Sequence, residues 1–178
     1  MPFITKQFLE NYKPKKDYNI HNGFLLFESV EMNYETYDLF ISYSSKDLDY
    51  VKKLASYLAD SGYLVYLDDN DSVLDKNKVT KETAKRLARI MENCKCLMYV
   101  FTTSSKESSW CPWEIGYMSA IRDFKCTIFP ILDISEDYIE HREYLLNYPT
   151  VHHVPNPDGK GGSFFVKDGS CINLVEYI

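Results

Sequence analysis

Residues 37–47 read YDLFISYSSKD, and this stretch decides the fold. Its apolar centre, Leu39-Phe40-Ile41, is typical of a short buried strand. A polar segment, Ser42 to Asp47, ends the strand. Apolar residues then recur at helical spacing from Leu48 to Leu58, and Gly62 follows where a helix commonly ends. A buried strand followed by an amphipathic helix is the repeating unit of an α/β fold.

The same unit recurs along the chain. Apolar runs predict further strands at residues 64–67, 96–101, 126–132 and 150–154, and helical spacing predicts helices at about 80–93, 108–121 and 136–146. Short strands that alternate with helices form a parallel sheet with helices on both faces. We therefore expect a flavodoxin-like open sheet of five parallel strands in the order 2-1-3-4-5.

Two segments lie outside this pattern. Residues 1–35 are an N-terminal extension of unknown role, and residues 36–155 hold the α/β domain. In residues 156–178, two apolar runs flank a turn at Asp168-Gly169, which predicts a hairpin packed on the domain or appended to it.

The composition excludes several classes of protein. The net charge of −6 argues against nucleic-acid and anionic-membrane partners, and no apolar run is long enough for a membrane helix. The first residues lack the apolar core of a signal peptide, and five cysteines without zinc spacing indicate reduced thiols. The seven glycines form neither a dinucleotide-binding fingerprint nor a P-loop. We expect a cytoplasmic protein with no metal site.

Glu114 has an unusual place in the predicted helix at 108–121. Serines precede this helix and Pro112 falls in its first turn, as helix starts favour. At i, i+3 and i+4 spacing, Glu114 shares a face with aromatic and apolar residues: Trp110, Trp113, Tyr117, Met118 and Ile121. Burying an ionised carboxylate is costly, so the position indicates either pairing with the helix dipole or chemistry in a pocket.

The predicted topology favours chemistry. Open α/β sheets bind ligands beyond the carboxyl ends of the strands, here between the first and third strands. The segments at that crevice are Ser42 to Asp47 and Ser104 to Glu114. Free amides near Ser44 and Ser45, with Lys46 beside them, suit a phosphate group. A plain N-cap role for Ser45 is compatible with this hypothesis.

Two motifs carry a resemblance to a known family. Residues 37–47, together with residues 109–114 (SWCPWE), resemble the first strand and the W-C-x-x-E helix of Toll/interleukin-1 receptor (TIR) domains. The order of elements agrees from about Tyr37 to Val154. Among TIR domains, the chain resembles free-standing bacterial immune effectors that consume NAD+.

The resemblance implies a reaction and a set of site residues. Enzymatic TIR domains cleave the bond between ribose and nicotinamide in NAD+, and Glu114 matches their catalytic glutamate. The implied substrate-binding residues are Tyr43, Ser44, Ser45, Lys46, Asp69, Trp110 and Cys111. Asp69 belongs to a charged loop at 68–78, which we expect to contact the ribose or a neighbouring subunit. No histidine lies beside Cys111 in the sequence, so a small buried apolar residue is a better interpretation of it than a nucleophile. No cofactor beyond NAD+ as substrate is expected.

The expected products are nicotinamide with ADP-ribose, or with a cyclic isomer that a downstream effector senses in phage defence. Homo-oligomers through TIR–TIR contacts are expected. Two alternatives stay open: a non-catalytic TIR scaffold, and an enzyme resembling nucleoside deoxyribosyltransferases.

Overall fold

The computed structural model describes residues 3–15, 18–21, 24–26, 36–67, 80–133 and 143–178. Its strands are β1 (Ile4–Thr5), β2 (Asn19–His21), β3 (Phe24–Leu26), β4 (Tyr37–Ser42), β5 (Val65–Tyr66), β6 (Cys94–Phe101), β7 (Cys126–Leu132), β8 (Thr150–Pro155), β9 (Gly162–Asp168) and β10 (Ser170–Asn173). Its α-helices are α1 (Lys6–Asn11), α2 (Leu48–Asp60), α3 (Lys81–Met91), α4 (Trp110–Ile121) and α5 (Leu174–Tyr177). Short 3-10 helices lie at Ser45–Asp47, Ser104–Glu107 and Glu143–Asn147. The predicted loop at 68–78 and most of the predicted helix at 136–146 lie outside the described residues.

The strands form one sheet in the order β10-β9-β8-β7-β6-β4-β5-β3-β2, and β1 also pairs with β7. The five predicted strands are β4 to β8, and they lie together as β5-β4-β6-β7-β8 with parallel pairing throughout. The α/β class with a mainly parallel sheet is therefore confirmed. The described sheet has ten strands in all, because the segments outside the five expected parallel strands add further strands to it.

The additional strands cover the edges of the parallel sheet. The predicted hairpin forms β9 and β10, and β9 runs antiparallel to β8. The apolar run after the turn extends to Leu174 and Val175, and these two residues begin α5 instead of continuing the strand. At the opposite edge, β3 pairs antiparallel with β5, and β2 pairs with β3. An uncovered edge strand exposes unpaired backbone groups, so both segments outside the α/β domain complete its sheet.

The N-terminal segment also reaches the carboxyl end of the sheet. In β1, Ile4 and Thr5 pair in parallel with Ile131 and Leu132 at the end of β7. Thr5 then caps α1, because its Oγ1 accepts a hydrogen bond of 3.1 Å from the Phe8 amide.

Each face of the sheet has its own apolar core. Along β4, Leu39 and Ile41 join a cluster with α2, whereas Phe40 joins a cluster with α3 and α4. This alternation follows from the two-residue period of a strand. The α4 side is the face that holds Glu114.

The cysteines behave as the sequence predicts. All five lie in the described part of the chain as free thiols, and four of them are buried. Among the described helices, none combines the length and apolar character that crossing a bilayer requires.

Candidate active site

The first turn of α4 positions the candidate site. The helix begins at Trp110 after Ser109, and the Ser108 hydroxyl accepts a 3.3 Å hydrogen bond from the Cys111 amide. A hydroxyl that satisfies a first-turn amide is the usual cap of a helix start. The predicted serine-rich start is confirmed, with Ser108 rather than Ser109 making the bond.

The buried face of α4 is rotated relative to the prediction. Its buried residues are Trp110, Cys111, Glu114, Ile115, Met118 and Ser119. Trp113 and Tyr117 are only partly buried, and Ile121 is 37 % exposed. Because α4 carries apolar residues on nearly every side, spacing alone does not select the packed face. Trp110, Glu114 and Met118 are common to the predicted and observed faces.

The Glu114 carboxylate lies inside the protein at the end of the central strand. Glu114 is 1 % exposed, and its Oε2 accepts a 2.5 Å hydrogen bond from the Ser42 hydroxyl. Ser42 is the last residue of β4 and is also 1 % exposed. Strand and helix thus bring a buried carboxylate to the predicted crevice at the carboxyl end of the sheet.

Aromatic side chains surround the start of this helix. Trp110 is 7 % exposed and meets Trp113 edge-on, with 5.6 Å between ring centroids. Trp113 in turn stacks on Tyr117 at 5.4 Å. Trp110 and Cys111 belong to the apolar cluster of the α4 face. A carboxylate in such surroundings is poorly hydrated, so its charge acts strongly on a nearby positive group.

The segment after β4 brings a cation to the same edge. Ser44 is buried and precedes the 3-10 helix, whereas Ser45 and Lys46 are exposed. Lys46 forms an ion pair with Glu107 of the segment after β6. Its hydrogen bond to Glu107 raises the pKa of Lys46, and the same bond lowers the pKa of the Glu107 carboxyl. The exposed Lys46 ammonium lies on the segment for which the sequence predicts phosphate binding.

Sequence reasoning missed a second link between these two segments. Asp47 is 3 % exposed, and its Oδ2 accepts a 2.6 Å hydrogen bond from Thr102 Oγ1. Thr102 Oγ1 in turn accepts a 3.0 Å hydrogen bond from the Ser105 amide. An Asp before Leu48 suggests only a helix cap, and its partner lies 55 residues away along the chain. The network fixes the segment that leads to α4.

One predicted substrate-binding residue, Tyr43, is not brought to this place. Tyr43 is 4 % exposed and packs in the apolar cluster of the α2 face, on the other side of the sheet from Trp110. Its placement does not support contact with a ligand beside Glu114. Asp69 lies outside the described residues. The structure therefore gathers Glu114, Trp110 and Cys111 at one end of α4, with Ser44 to Lys46 on the neighbouring segment.

No cluster of three His, Cys, Asp or Glu side chains suited to a metal ion occurs within the described ranges. The absence of a metal requirement stays a prediction.

Comparison with known proteins identifies the class. The sequence pattern of the TIR domain family matches residues 39–152, which hold most of strand β4 and all of helix α4. The chain therefore belongs to the TIR domain family.

Two relatives are described as synthases. The chain is 39 % identical over 131 residues to a probable 3′ cyclic ADP-D-ribose synthase, ThsB′, from Bacillus cereus (strain MSX-D12), which covers 71 % of this chain and 67 % of that protein. It is 31 % identical over 101 residues to a putative cyclic ADP-D-ribose synthase, TIR2, from Cytobacillus dafuensis. That match covers 56 % of this chain and only 26 % of the length of the relative.

Solved structures of TIR domains are more distant. The TIR domain of the Toll-related receptor TRR-2 from Hydra magnipapillata has a TM-score of 0.45 at 19 % identity, over 65 % of this chain and 84 % of that one. The TIR domains of the activated Roq1 resistosome have a TM-score of 0.42 at 22 % identity, over 56 % and 60 %.

Proposed function

We propose that this chain is an enzyme that cleaves the ribose–nicotinamide bond of NAD+, with Glu114 as its catalytic residue. The observation that carries the proposal is the buried Glu114 carboxylate, held by Ser42 at the carboxyl end of the central strand. Both synthase relatives are named for products that contain ADP-ribose, which supports NAD+ as the substrate.

In this proposal, the main catalytic requirement of the reaction is one negative charge close to the ribose. Nicotinamide leaves NAD+ as a neutral base, because the pyridinium already carries the positive charge. It needs no general acid, unlike the sugar leaving groups that two-carboxylate glycosidases protonate. As the bond lengthens, positive charge moves onto the ribose. A fixed carboxylate in a poorly hydrated place stabilises this oxocarbenium-like transition state more than the ground state.

Neighbouring groups hold the rest of the substrate in this proposal. The Trp110 indole lies one helical turn before Glu114 and suits a cationic pyridinium, an interaction of about 0.5–2 kcal/mol. Lys46, with the backbone amides near Ser45, binds the pyrophosphate. To do so, the Lys46 ammonium exchanges Glu107 for a phosphate oxygen.

The acceptor of the ribosyl group decides the product. Water gives ADP-ribose, whereas a nucleophile of the same molecule, either the adenine ring or a hydroxyl of the adenosine ribose that loses its proton, gives a cyclic isomer. The names of the two relatives favour cyclisation, and we include it in the proposal. A cyclic nucleotide suits signalling to a downstream effector, for which we propose a role in phage defence.

Self-association through TIR–TIR contacts is also part of the proposal. Several apolar side chains are available on the surface, among them Phe124 at 59 % and Leu146 at 69 % exposure. Contacts of this kind act between copies at high protein concentration.

Mass spectrometry of the reaction products tests the proposal. Purified chain, over a range of concentrations, is incubated with NAD+, and Glu114→Gln prepared in the same way is the control. The expected products are nicotinamide with cyclic ADP-ribose or ADP-ribose, formed by wild type and not by the variant. Intact NAD+ at every protein concentration would overturn the proposal and favour the non-catalytic scaffold.

A further inference from the structure

We propose that Ser42 is a positioning residue, which holds the Glu114 carboxylate in one orientation beside the ribose of the bound substrate. This inference rests on the proposed function for its catalytic consequence. Its structural basis is the 2.5 Å hydrogen bond from Ser42 Oγ to Glu114 Oε2, with both residues 1 % exposed.

The position of Ser42 in the sheet makes it a rigid anchor. Ser42 pairs with Tyr99 at the last register position between β4 and β6. Its strand has parallel neighbours on both sides. The strand period turns Ser42 to the side of Phe40, which belongs to the cluster of the α4 face. A donor on a central strand is held more precisely than a donor on a loop.

The bond from Ser42 to Glu114 has the donor and acceptor of a charge-assisted hydrogen bond. A hydroxyl that donates to a carboxylate stabilises the anion over the neutral acid, and charge-assisted bonds of this kind are short. The ionised form is the one that stabilises positive charge on the ribose. A second consequence is geometric, since a Glu side chain has three rotatable bonds and its bond to Ser42 selects one arrangement among them.

Replacing the hydroxyl separates positioning from packing. Ser42→Ala removes only the oxygen atom. We expect kcat for nicotinamide release to fall roughly 10- to 100-fold, the range of one hydrogen bond to a charged group. The KM for NAD+ stays near that of wild type, because the interaction acts mainly in the transition state. Ser42→Thr keeps the hydroxyl on a residue that strands favour, so it restores most of the lost kcat.

A second buried serine provides the matched control. Ser119 lies on α4, is 7 % exposed, and donates a 2.6 Å hydrogen bond to the Ile115 carbonyl. Ser119→Ala removes a buried hydroxyl from the same helix without touching Glu114, and we expect its kcat to match wild type. Unchanged kcat in Ser42→Ala, or an equal loss in Ser119→Ala, would overturn the positioning role.

An unfolding cycle tests the contact without reference to activity. Urea midpoints are measured for wild type, Ser42→Ala, Glu114→Met and the double variant. We expect Ser42→Ala to lower the urea midpoint when residue 114 is Glu and to leave the midpoint unchanged when residue 114 is Met. Equal shifts in both backgrounds would overturn the proposed contact. If wild type releases no nicotinamide, the proposed function fails, and the cycle still decides whether Ser42 holds the carboxylate.

Discussion

Two carboxylates of this protein, Glu114 of α4 and Asp60 of α2, lie in contrasting surroundings. Asp60 ends α2 and is partly exposed. It accepts hydrogen bonds from the hydroxyls of Tyr12 and Tyr18 and, at 2.8 Å, from the Lys15 amide. Glu114 is buried within the first half of α4 and accepts a hydrogen bond from the Ser42 hydroxyl.

We propose that the two carboxylates have different roles: Asp60 stabilises the fold, and Glu114 acts in catalysis. Asp60 ties the N-terminal segment to α2, and its donors all come from that segment, so its charge is used to join two parts of the fold. Glu114 is 1 % exposed, and at a buried position a negative charge is costly to hold and acts strongly on a positive partner. We infer that the protein maintains this cost for catalysis.

Substitutions that disturb α2, the helix that Asp60 ends, are expected to lower stability rather than activity. The largest loss of stability is expected at Gly162. A Cβ at Gly162 would lie 2.3 Å from the Tyr57 hydroxyl and 2.7 Å from the Val154 carbonyl oxygen. Tyr57 is fully buried one turn before Asp60. We expect Gly162→Ala to lower the free energy of unfolding by about 3 kcal/mol, measured by urea denaturation.

Gly116 is the matched control for that substitution. It lies exposed within α4, and a Cβ there meets no heavy atom within 4 Å. Gly116→Ala is therefore expected to raise the free energy of unfolding by roughly 0.5–1 kcal/mol, since alanine favours a helix. Equal effects of the two substitutions would show that the Gly162 contact does not limit stability.

Alkaline pH sharpens the comparison through the tyrosines near Asp60. Burial, followed by the hydrogen bond to Asp60, raises the pKa of both Tyr12 and Tyr18, and burial raises the pKa of Tyr57 to about 12. The folded protein holds these protons more tightly than the unfolded chain, in which tyrosine titrates near pH 10. Their contribution to stability is complete below about pH 10 and is lost as the pH rises further.

We therefore expect the urea midpoint of wild type to fall steeply above about pH 10. Tyr12→Phe removes one of the titrating hydroxyls, so the urea midpoint of this variant falls less steeply with pH. A slope in Tyr12→Phe that equals the wild-type slope would contradict the assignment to Tyr12.

The smallest expected effect concerns Lys46, on the Glu114 side. We expect Lys46→Ala to raise the KM for NAD+ by roughly three- to tenfold, the loss of one exposed contact with a phosphate. Glu107→Gln releases Lys46 from its ion pair and lowers the KM. Steady-state kinetics at low and high salt measure the KM of both variants. Salt screens the charges, so the differences in KM from wild type are expected to be smaller at high salt. A KM that Glu107→Gln raises would contradict competition between Glu107 and the substrate.

The sequence predicted those parts of the fold that depend on local pattern. The run Leu39-Phe40-Ile41 and the helical spacing up to Gly62 correspond to β4 and α2, and Gly62 has the positive φ of 97° that a helix end requires. β1 stayed hidden because it is two residues long and pairs with Ile131 and Leu132, more than a hundred residues away. Its pairing depends on tertiary contacts that no local pattern encodes.

The candidate site divides in the same way. Helical spacing was enough to bring Glu114 and Trp110 together on one helix. The bond from Ser42 to Glu114 spans 72 residues and required the strand order as well as the strand period. Strand period also explains the placement of Tyr43, because neighbouring residues along a strand face opposite sides of the sheet. Ser42 faces α4, so Tyr43 turns to the α2 side.

Nicotinamide release from NAD+, measured side by side for wild type, Glu114→Gln and Asp60→Asn, tests the central claim most directly. Glu114→Gln keeps the shape of the side chain and removes its charge, and we expect its rate to fall roughly 100- to 1,000-fold. Asp60→Asn is expected to unfold more easily and to keep its rate within about twofold of wild type, since Asp60 lies on a different face of the sheet. An unchanged rate in Glu114→Gln, with wild type active, would contradict the account.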